Sequence, residues 1–159
     1  MTRRVAVTGY SFRLPGTTPG RYWQDLLEGR NLVSEDDPQR WEQDTFLHPN
    51  RNHPGTSYTF AAGSIGEIAT FDAGFFGISP REAALMDPQQ RLLLEMSWEA
   101  IENSGIPPSH LRGSRCGVYI GIASADYSYR MADDFAVVDS TSATGNTASI
   151  AANRISYAF

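Results

Sequence analysis

Lysine is absent from this sequence of 159 residues, and cysteine occurs only once. All 13 basic residues are arginines, which excludes Schiff-base chemistry and a lysine general base within the chain. The single cysteine, Cys116, excludes an internal disulfide and any metal site built from several cysteines. No apolar run approaches the roughly 20 residues of a membrane span, and the N-terminus lacks the pattern of a signal peptide. We therefore expect a soluble cytoplasmic protein with no membrane partner.

Positive charge is also scarce, since the net charge is −5 and the arginines form no basic patch. Nucleic acid is consequently not an expected partner. The three histidines, His48, His53 and His110, lie among prolines and polar residues without the spacing of metal ligands, so no metal site is predicted. The Gly-x-Ser-x-Gly motif is missing as well, which disfavours a serine hydrolase. With 41% hydrophobic and 19% charged residues, the chain is typical of one globular domain.

Two segments have the pattern of buried β-strands. Val5–Gly9 is an apolar run that ends in glycine. In residues 116–122, Cys116, Val118, Ile120 and Ile122 alternate with two glycines and a tyrosine, which predicts a strand with one apolar face. We interpret Cys116 as a core side chain, because a reactive thiolate needs a helix N-terminus or a nearby positive group. Since the strands alternate with helices, the sequence predicts an α/β fold.

The most completely specified helix follows Asp87, which is a candidate N-cap. Pro88 suits the first helical position, and Gln90 stands where the partner of a capping box belongs. Gly105 is placed for a left-handed C-cap before two prolines prevent continuation. The apolar arc between these ends is wide, which indicates a buried or interface helix.

A shorter helix is predicted near the N-terminus. Pro19 can open this helix, and Gly29 can end it. Three large apolar side chains share one face of it: Trp23, Leu26 and Leu27.

Four segments carry a resemblance to a known family, and one of them reads FDAGFFGISPRE from Phe71 to Glu82. The others are Met86–Leu92 (MDPQQRL), Val5–Pro15 and Thr144–Tyr157. Together they resemble the β-ketoacyl synthase, or ketosynthase, domain of type I polyketide synthases and animal-type fatty acid synthases. The resemblance implies a thiolase-like fold, of which residues 1–159 supply the first, N-terminal half only. It places the nucleophilic cysteine turn after the helix that ends this chain, and the catalytic histidines and lysine in a later part of the fold.

The resemblance also implies an activity, that of an acyltransferase which extends an acyl chain by decarboxylative Claisen condensation. It implies an acyl carrier protein partner that bears phosphopantetheine, a homodimer, and other synthase domains in the same polypeptide. This chain would bind no cofactor and hold no catalytic residue, so we expect it to be inactive alone. Ser142, Thr144 and Asn146 would lie at the dimer interface near the acyl channel.

Two alternatives remain open at the level of sequence. The turn from Ser142 to Asn146 also fits a plain helix start with no contact to substrate. The parent protein also fits a non-catalytic ketosynthase-like partner that shapes a dimer without condensing anything. The residue at the nucleophile turn distinguishes the enzyme from the structural partner, because cysteine favours the enzyme and another residue favours the structural partner.

Overall fold

A computed structural model describes residues 4–35, 42–131, 136 and 138–159 of the chain. The described elements are, in order, α1 (Tyr22–Leu27), β1 (Ser34–Glu35), α2 (Gln43–Phe46), β2 (Ala61–Ala62), α3 (Pro80–Leu85), α4 (Pro88–Ser104), α5 (Ser142–Asn146) and α6 (Ile150–Ala158). Two 3-10 helices, Pro108–His110 and Asp126–Met131, lie between α4 and α5. The chain divides into a larger unit, Met1–Ser11 with Ile68–Phe159, and a smaller unit, Phe12–Glu67.

The ends of α4 form as their sequence predicts. The Asp87 carboxylate accepts a hydrogen bond from the Gln89 backbone N–H at 2.8 Å, which is an N-cap, and Pro88 takes the first helical position. Gly105 ends the helix at a φ of 68°, where a side chain would be strained. The capping-box role of Gln90 is wrong, because the Asp87 N–H donates to the Gly145 carbonyl and the Gln90 oxygen accepts from Nε of Arg154.

The core of the larger unit lies between α4 and α6. Its centre consists of Met86, Leu94 and Ile155, which are almost completely buried. Partly buried apolar residues surround this centre: Phe71, Phe76, Ile78, Leu93, Val118, Ile120, Ala158 and Phe159. In the same unit, α3 and α6 both pack against α5. Burial of these side chains supplies the main driving force for packing α4 against α6.

The two predicted buried strands do not form among the described residues. Val5 and Val7 are 93% and 86% exposed, and neither their segment nor residues 116–122 belongs to a ladder. Alternation is nevertheless present in the second segment, because Val118 and Ile120 are half-buried while Tyr119 is exposed. The physical reason is that a strand is stabilised by hydrogen bonds to a neighbouring strand, and the described chain offers neither segment such a neighbour. Among the described residues, the one sheet pairs β1 with β2 in antiparallel register.

The apolar face of α1 is exposed. Trp23, Leu26 and Leu27 are 68%, 53% and 64% exposed, although Gly29 ends the helix region at a φ of 62° as expected. The buried side chain of α1 is Asp25. Its carboxylate accepts hydrogen bonds from Thr17 at 2.5 Å, Arg30 at 2.6 Å and Arg21 at 3.0 Å. A polar cluster therefore occupies the buried side of this helix.

The described helices include none that is both long and apolar enough to cross a lipid bilayer.

Candidate interface segment around α5

The segment that carries the predicted site residues is the short helix α5, which approaches the end of α3 very closely. A Cβ atom on Gly145 would lie 2.9 Å from the carbonyl oxygen of Leu85 and 3.2 Å from the Cα atom of Met86. The carbonyl of Gly145 accepts a hydrogen bond from the Asp87 N–H at 2.9 Å. Glycine is therefore needed here for a backbone-to-backbone contact, since any side chain would overlap α3.

The three candidate residues of α5 have different environments. Ser142 is buried, and its hydroxyl accepts a hydrogen bond from the Asp139 N–H at 2.9 Å. Asn146 is half-buried, and its amide donates to the carbonyls of Leu85 and Ser142, both at 2.9 Å. Thr144 is exposed, and its hydroxyl donates to the Thr141 carbonyl at 2.9 Å. The structure thus brings the three together on one helix, but of these three only Thr144 presents its side chain at the surface.

A buried polar network anchors α5, and sequence reasoning missed it. The Gln90 side chain, 2% exposed, donates to the carbonyls of Thr144 at 3.4 Å and Thr147 at 3.2 Å. Its oxygen accepts from Nε of Arg154 at 3.1 Å, and Nη1 of Arg154 contacts Glu82 at 2.7 Å. The sequence signal was present, because all the side chains of this network lie within the segments that carry the family resemblance.

An aspartate fixes the entry to α5. Asp139 accepts hydrogen bonds from the hydroxyl and the N–H of Thr141, both at 2.7 Å, and forms an ion pair with Arg81 at 2.9 Å. These two donors on Thr141, and to a smaller extent Arg81, hold the pKa of Asp139 below its ordinary value. The carboxylate is therefore charged at neutral pH and caps the turn that leads into Ser142.

Cys116 lies beside an open cavity of about 890 Å³ in the larger unit. The thiol is exposed, so the prediction that it is a core side chain is wrong. Exposure follows from the missing strand, because residues 116–122 have no partner strand to cover them. The described lining of the cavity contains Arg112 but no histidine and no carboxylate. A general base that would activate the thiol is thus not found among these lining residues.

The sequence predicts no metal site in any part of the chain. In the ranges that the structure describes, no three side chains of histidine, cysteine, aspartate or glutamate are grouped so that they would hold a metal ion. His48 and His53 stack on each other in the smaller unit, with ring centroids 4.1 Å apart. Nδ1 of His48 accepts a hydrogen bond from the Asn50 N–H at 3.1 Å, so this nitrogen already has a partner.

Comparison with known proteins identifies the family of this chain. Residues 2–159 match the family described as "Beta-ketoacyl synthase, N-terminal domain". The chain therefore belongs to the β-ketoacyl synthase family. It is 46% identical over 155 residues to one of the phenolphthiocerol/phthiocerol polyketide synthase proteins of Mycobacterium tuberculosis, which covers 96% of this chain and 10% of that protein. It is 46% identical over 158 residues to the polyketide synthase GfsE of Streptomyces halstedii, with 98% of this chain and 4% of that protein covered.

Solved structures give the same result for the fold. An oxazolomycin ketosynthase domain from Streptomyces albus superposes with a TM-score of 0.84 and 31% identity, covering 95% of this chain and 27% of that one. A ketosynthase from module 6 of the bacillaene synthase of Bacillus subtilis superposes with a TM-score of 0.80 and 35% identity, covering 96% of this chain and 24% of that one. The prediction of an α/β, thiolase-like fold is confirmed, and the chain corresponds to the N-terminal portion of a ketosynthase domain.

Proposed function

We propose that this chain is the N-terminal part of a polyketide synthase ketosynthase domain that condenses an acyl thioester with a malonyl-type extender. The observation that carries the proposal is the likeness to solved ketosynthases over 95% of the chain at a TM-score of 0.84. The reaction proceeds in two stages. A cysteine thiolate of the domain attacks the acyl thioester and releases the thiol of the carrier protein. Loss of CO₂ from the extender then gives an enolate, whose carbon attacks the acyl cysteine, forms the new carbon–carbon bond and expels the cysteine thiolate. A covalent intermediate divides one difficult step into two easier ones.

In this proposal, residues 1–159 provide the scaffold, the interface and part of the channel wall, and no catalytic residue. The chain binds no cofactor, because phosphopantetheine belongs to the acyl carrier protein that delivers the acyl group. The other partners are a second copy of the domain and further synthase domains of the same polypeptide. We place the enzyme in the cytoplasm. The isolated chain should consequently be inactive.

The proposal gives α5 a particular place, at the two-fold interface near the acyl channel. The polar groups of Ser142 and Asn146 form hydrogen bonds within the chain, so their role is to hold α5 in place. Thr144 is exposed, and it is the residue of the three that would meet a partner or an acyl group. In a symmetric dimer the same patch meets its own copy, so one exposed side chain can reach the partner's pocket.

The test is a condensation assay with the complete domain that contains residues 1–159. The purified domain is incubated with an acyl carrier protein loaded with an acyl group and a second one loaded with malonate, and the β-ketoacyl product is measured by mass spectrometry. Product formation by the complete domain, with none from residues 1–159 alone, supports the proposal. A folded, dimeric domain that makes no product would instead favour the non-catalytic structural partner.

A further inference from the structure

The guanidinium of Arg154 lies where four helices of the larger unit meet. Its Nε donates to the Gln90 oxygen on α4 at 3.1 Å, and its Nη1 contacts Glu82 on α3 at 2.7 Å. Its Nη2 donates to the Thr144 carbonyl on α5 at 3.5 Å. The arginine side chain is 13% exposed and belongs to α6. Three nitrogens on a rigid plane thus bond three different elements, an arrangement that the single ammonium of lysine does not reproduce.

These contacts matter because α5 does not hold itself in place. The helix has five residues, far below the length at which a helix is stable in isolation. Most of its carbonyls have no partner within so short a helix and need partners from elsewhere. The Thr144 carbonyl receives both the Gln90 amide and Arg154, while the Gln90 amide also binds the Thr147 carbonyl just beyond the helix.

The exposed side chain and the anchored carbonyl belong to the same residue. Thr144 directs its side chain outward and its carbonyl inward to Gln90 and Arg154. A shift of the anchor therefore moves the exposed side chain directly. Arg154 also has its own counter-charge, Glu82 on α3, at 2.7 Å, so α5 is not the only element that holds it.

We propose that Arg154 is a positioning residue for acyl selection. Through Gln90 and the Thr144 carbonyl it fixes the exposed edge of α5, and that edge sets the preference of the enzyme for long or short acyl groups. Arg154 does not itself touch the acyl group. This inference rests on the proposed function, because it takes the exposed edge of α5 as part of the acyl channel.

The test compares Arg154→Lys and Arg154→Met in the complete domain. Lysine keeps a charge opposite Glu82 but loses the fork to Gln90 and Thr144, whereas methionine loses both. For each variant, kcat/KM is measured with acetyl and with a long-chain acyl thioester, next to the thermal midpoint and the oligomeric state. We expect the long-to-short ratio of kcat/KM to change by about threefold or more in both variants, consistent with the loss of one or two hydrogen bonds.

Arg30→Met is the matched control. Arg30 pairs at 2.6 Å with the buried Asp25 in the smaller unit, so its removal costs an ion pair that does not involve a residue of α5. This variant should lower the thermal midpoint and leave the long-to-short ratio unchanged. In addition, the effect of Arg154→Lys on the ratio should largely disappear in a Thr144→Gly background, since the arginine acts through the Thr144 side chain.

Two outcomes would overturn the inference separately from the proposed function. If the wild-type domain condenses but Arg154→Lys is folded with an unchanged ratio, Arg154 is only a structural residue and the proposed function stands. A ratio that changes equally in Arg30→Met would likewise refute the inference, because general destabilisation would then explain the effect. If the wild-type domain does not condense either substrate, the proposed function itself fails.

Discussion

A Cβ atom on Gly145 would lie 2.9 Å from the carbonyl oxygen of Leu85, so α5 meets the end of α3 with no space for a side chain. The Asp87 N–H, at the start of α4, donates to the Gly145 carbonyl in the same contact. One glycine therefore joins three helices of the larger unit through backbone atoms alone. The position of α5, and with it the candidate interface, depends on this contact.

Gly145→Ala should destabilise the complete domain by about 1–3 kcal/mol, because a backbone carbonyl cannot yield to the added methyl group as a flexible side chain can. The measurement is the free energy of unfolding from urea titration. Gly20→Ala is the control, since a Cβ atom there meets nothing within 4 Å and the residue has no positive φ. Equal stability of the two variants would mean that α5 does not contact α3 as described.

Asp87→Ala should lower the free energy of unfolding by about 1 kcal/mol through loss of the N-cap of α4. Asp87→Asn retains an oxygen that can accept from the Gln89 N–H, so it should cost clearly less. Circular dichroism during chemical unfolding of the complete domain measures both. If the asparagine and alanine variants lost the same amount, the carboxylate would act through something other than the cap.

The Asp25 cluster predicts a dependence of stability on acid pH. The Thr17 hydroxyl above all, and then the guanidinium groups of Arg21 and Arg30, lower the pKa of Asp25 from 3.8 to about 2. Because the pKa in the folded state is below that in the unfolded state, the carboxylate stabilises the fold above pH 3.8 and loses this contribution as the pH falls toward 2.

The comparison of wild type with Asp25→Asn tests this sign. The wild type should be the more stable of the two at pH 5 to 7, and the difference between their urea midpoints should shrink as the pH falls from 4 to 2. Glu28→Gln removes an exposed carboxylate three residues after Asp25 and should change the urea midpoint much less over the same pH range. A difference for Asp25→Asn that is constant across this range would show that its charge is not responsible.

Thr144→Trp should disfavour long acyl groups in the complete domain while leaving the dimer intact. Thr144 is exposed, so an indole can replace it without filling the core of the chain. Crowding a formed channel by this volume costs roughly 1–3 kcal/mol, which changes the preference for acetyl over a long acyl group by about tenfold. Acyl loading with thioesters of different length gives the ratio. An unchanged ratio in an intact dimer would remove Thr144 from the channel and leave the plain helix-start interpretation.

Ser142 is less suited to such a substitution than Thr144. It is buried, and its hydroxyl accepts from the Asp139 N–H. Ser142→Trp would disrupt the turn between Asp139 and Ser142, because the buried position has no space for an indole. The resemblance placed Ser142, Thr144 and Asn146 together in one segment, but a single sequence does not tell which of these side chains point outward.

Local signals in the sequence were sufficient wherever the interaction itself is local. The N-cap at Asp87 and the left-handed glycines 29 and 105 involve neighbours within a few residues, and all of them form. Gln90 shows the limit of this reasoning. Its place in the sequence fits a capping box, yet its amide bonds the Thr144 carbonyl, 54 residues along the chain. The local partner in a capping box would be the Asp87 N–H, which here donates to the Gly145 carbonyl instead.

The errors share a cause in long-range structure. Apolar runs at 5–9 and 116–122 indicate strands, but ladders require neighbouring strands, and the described chain provides none to these runs. The exposed thiol of Cys116 follows from the same absence. On α1, the apolar face is exposed, and Asp25 with Thr17 and two arginines occupies the buried side. Hydrophobic spacing does not reveal that a charged cluster will be satisfied internally.

The central claim is that residues 1–159 support a condensing enzyme without performing its chemistry, and the site of acylation tests it most directly. The complete domain is incubated with a long-chain acyl thioester, digested, and analysed by mass spectrometry for the acylated peptide. Cys116 is the thiol that competes for the acyl group within this chain, and it is exposed. We predict an acyl group on a cysteine outside residues 1–159, with Cys116 unmodified. Stoichiometric acylation of Cys116, with no acylated cysteine elsewhere in the domain, would contradict the claim.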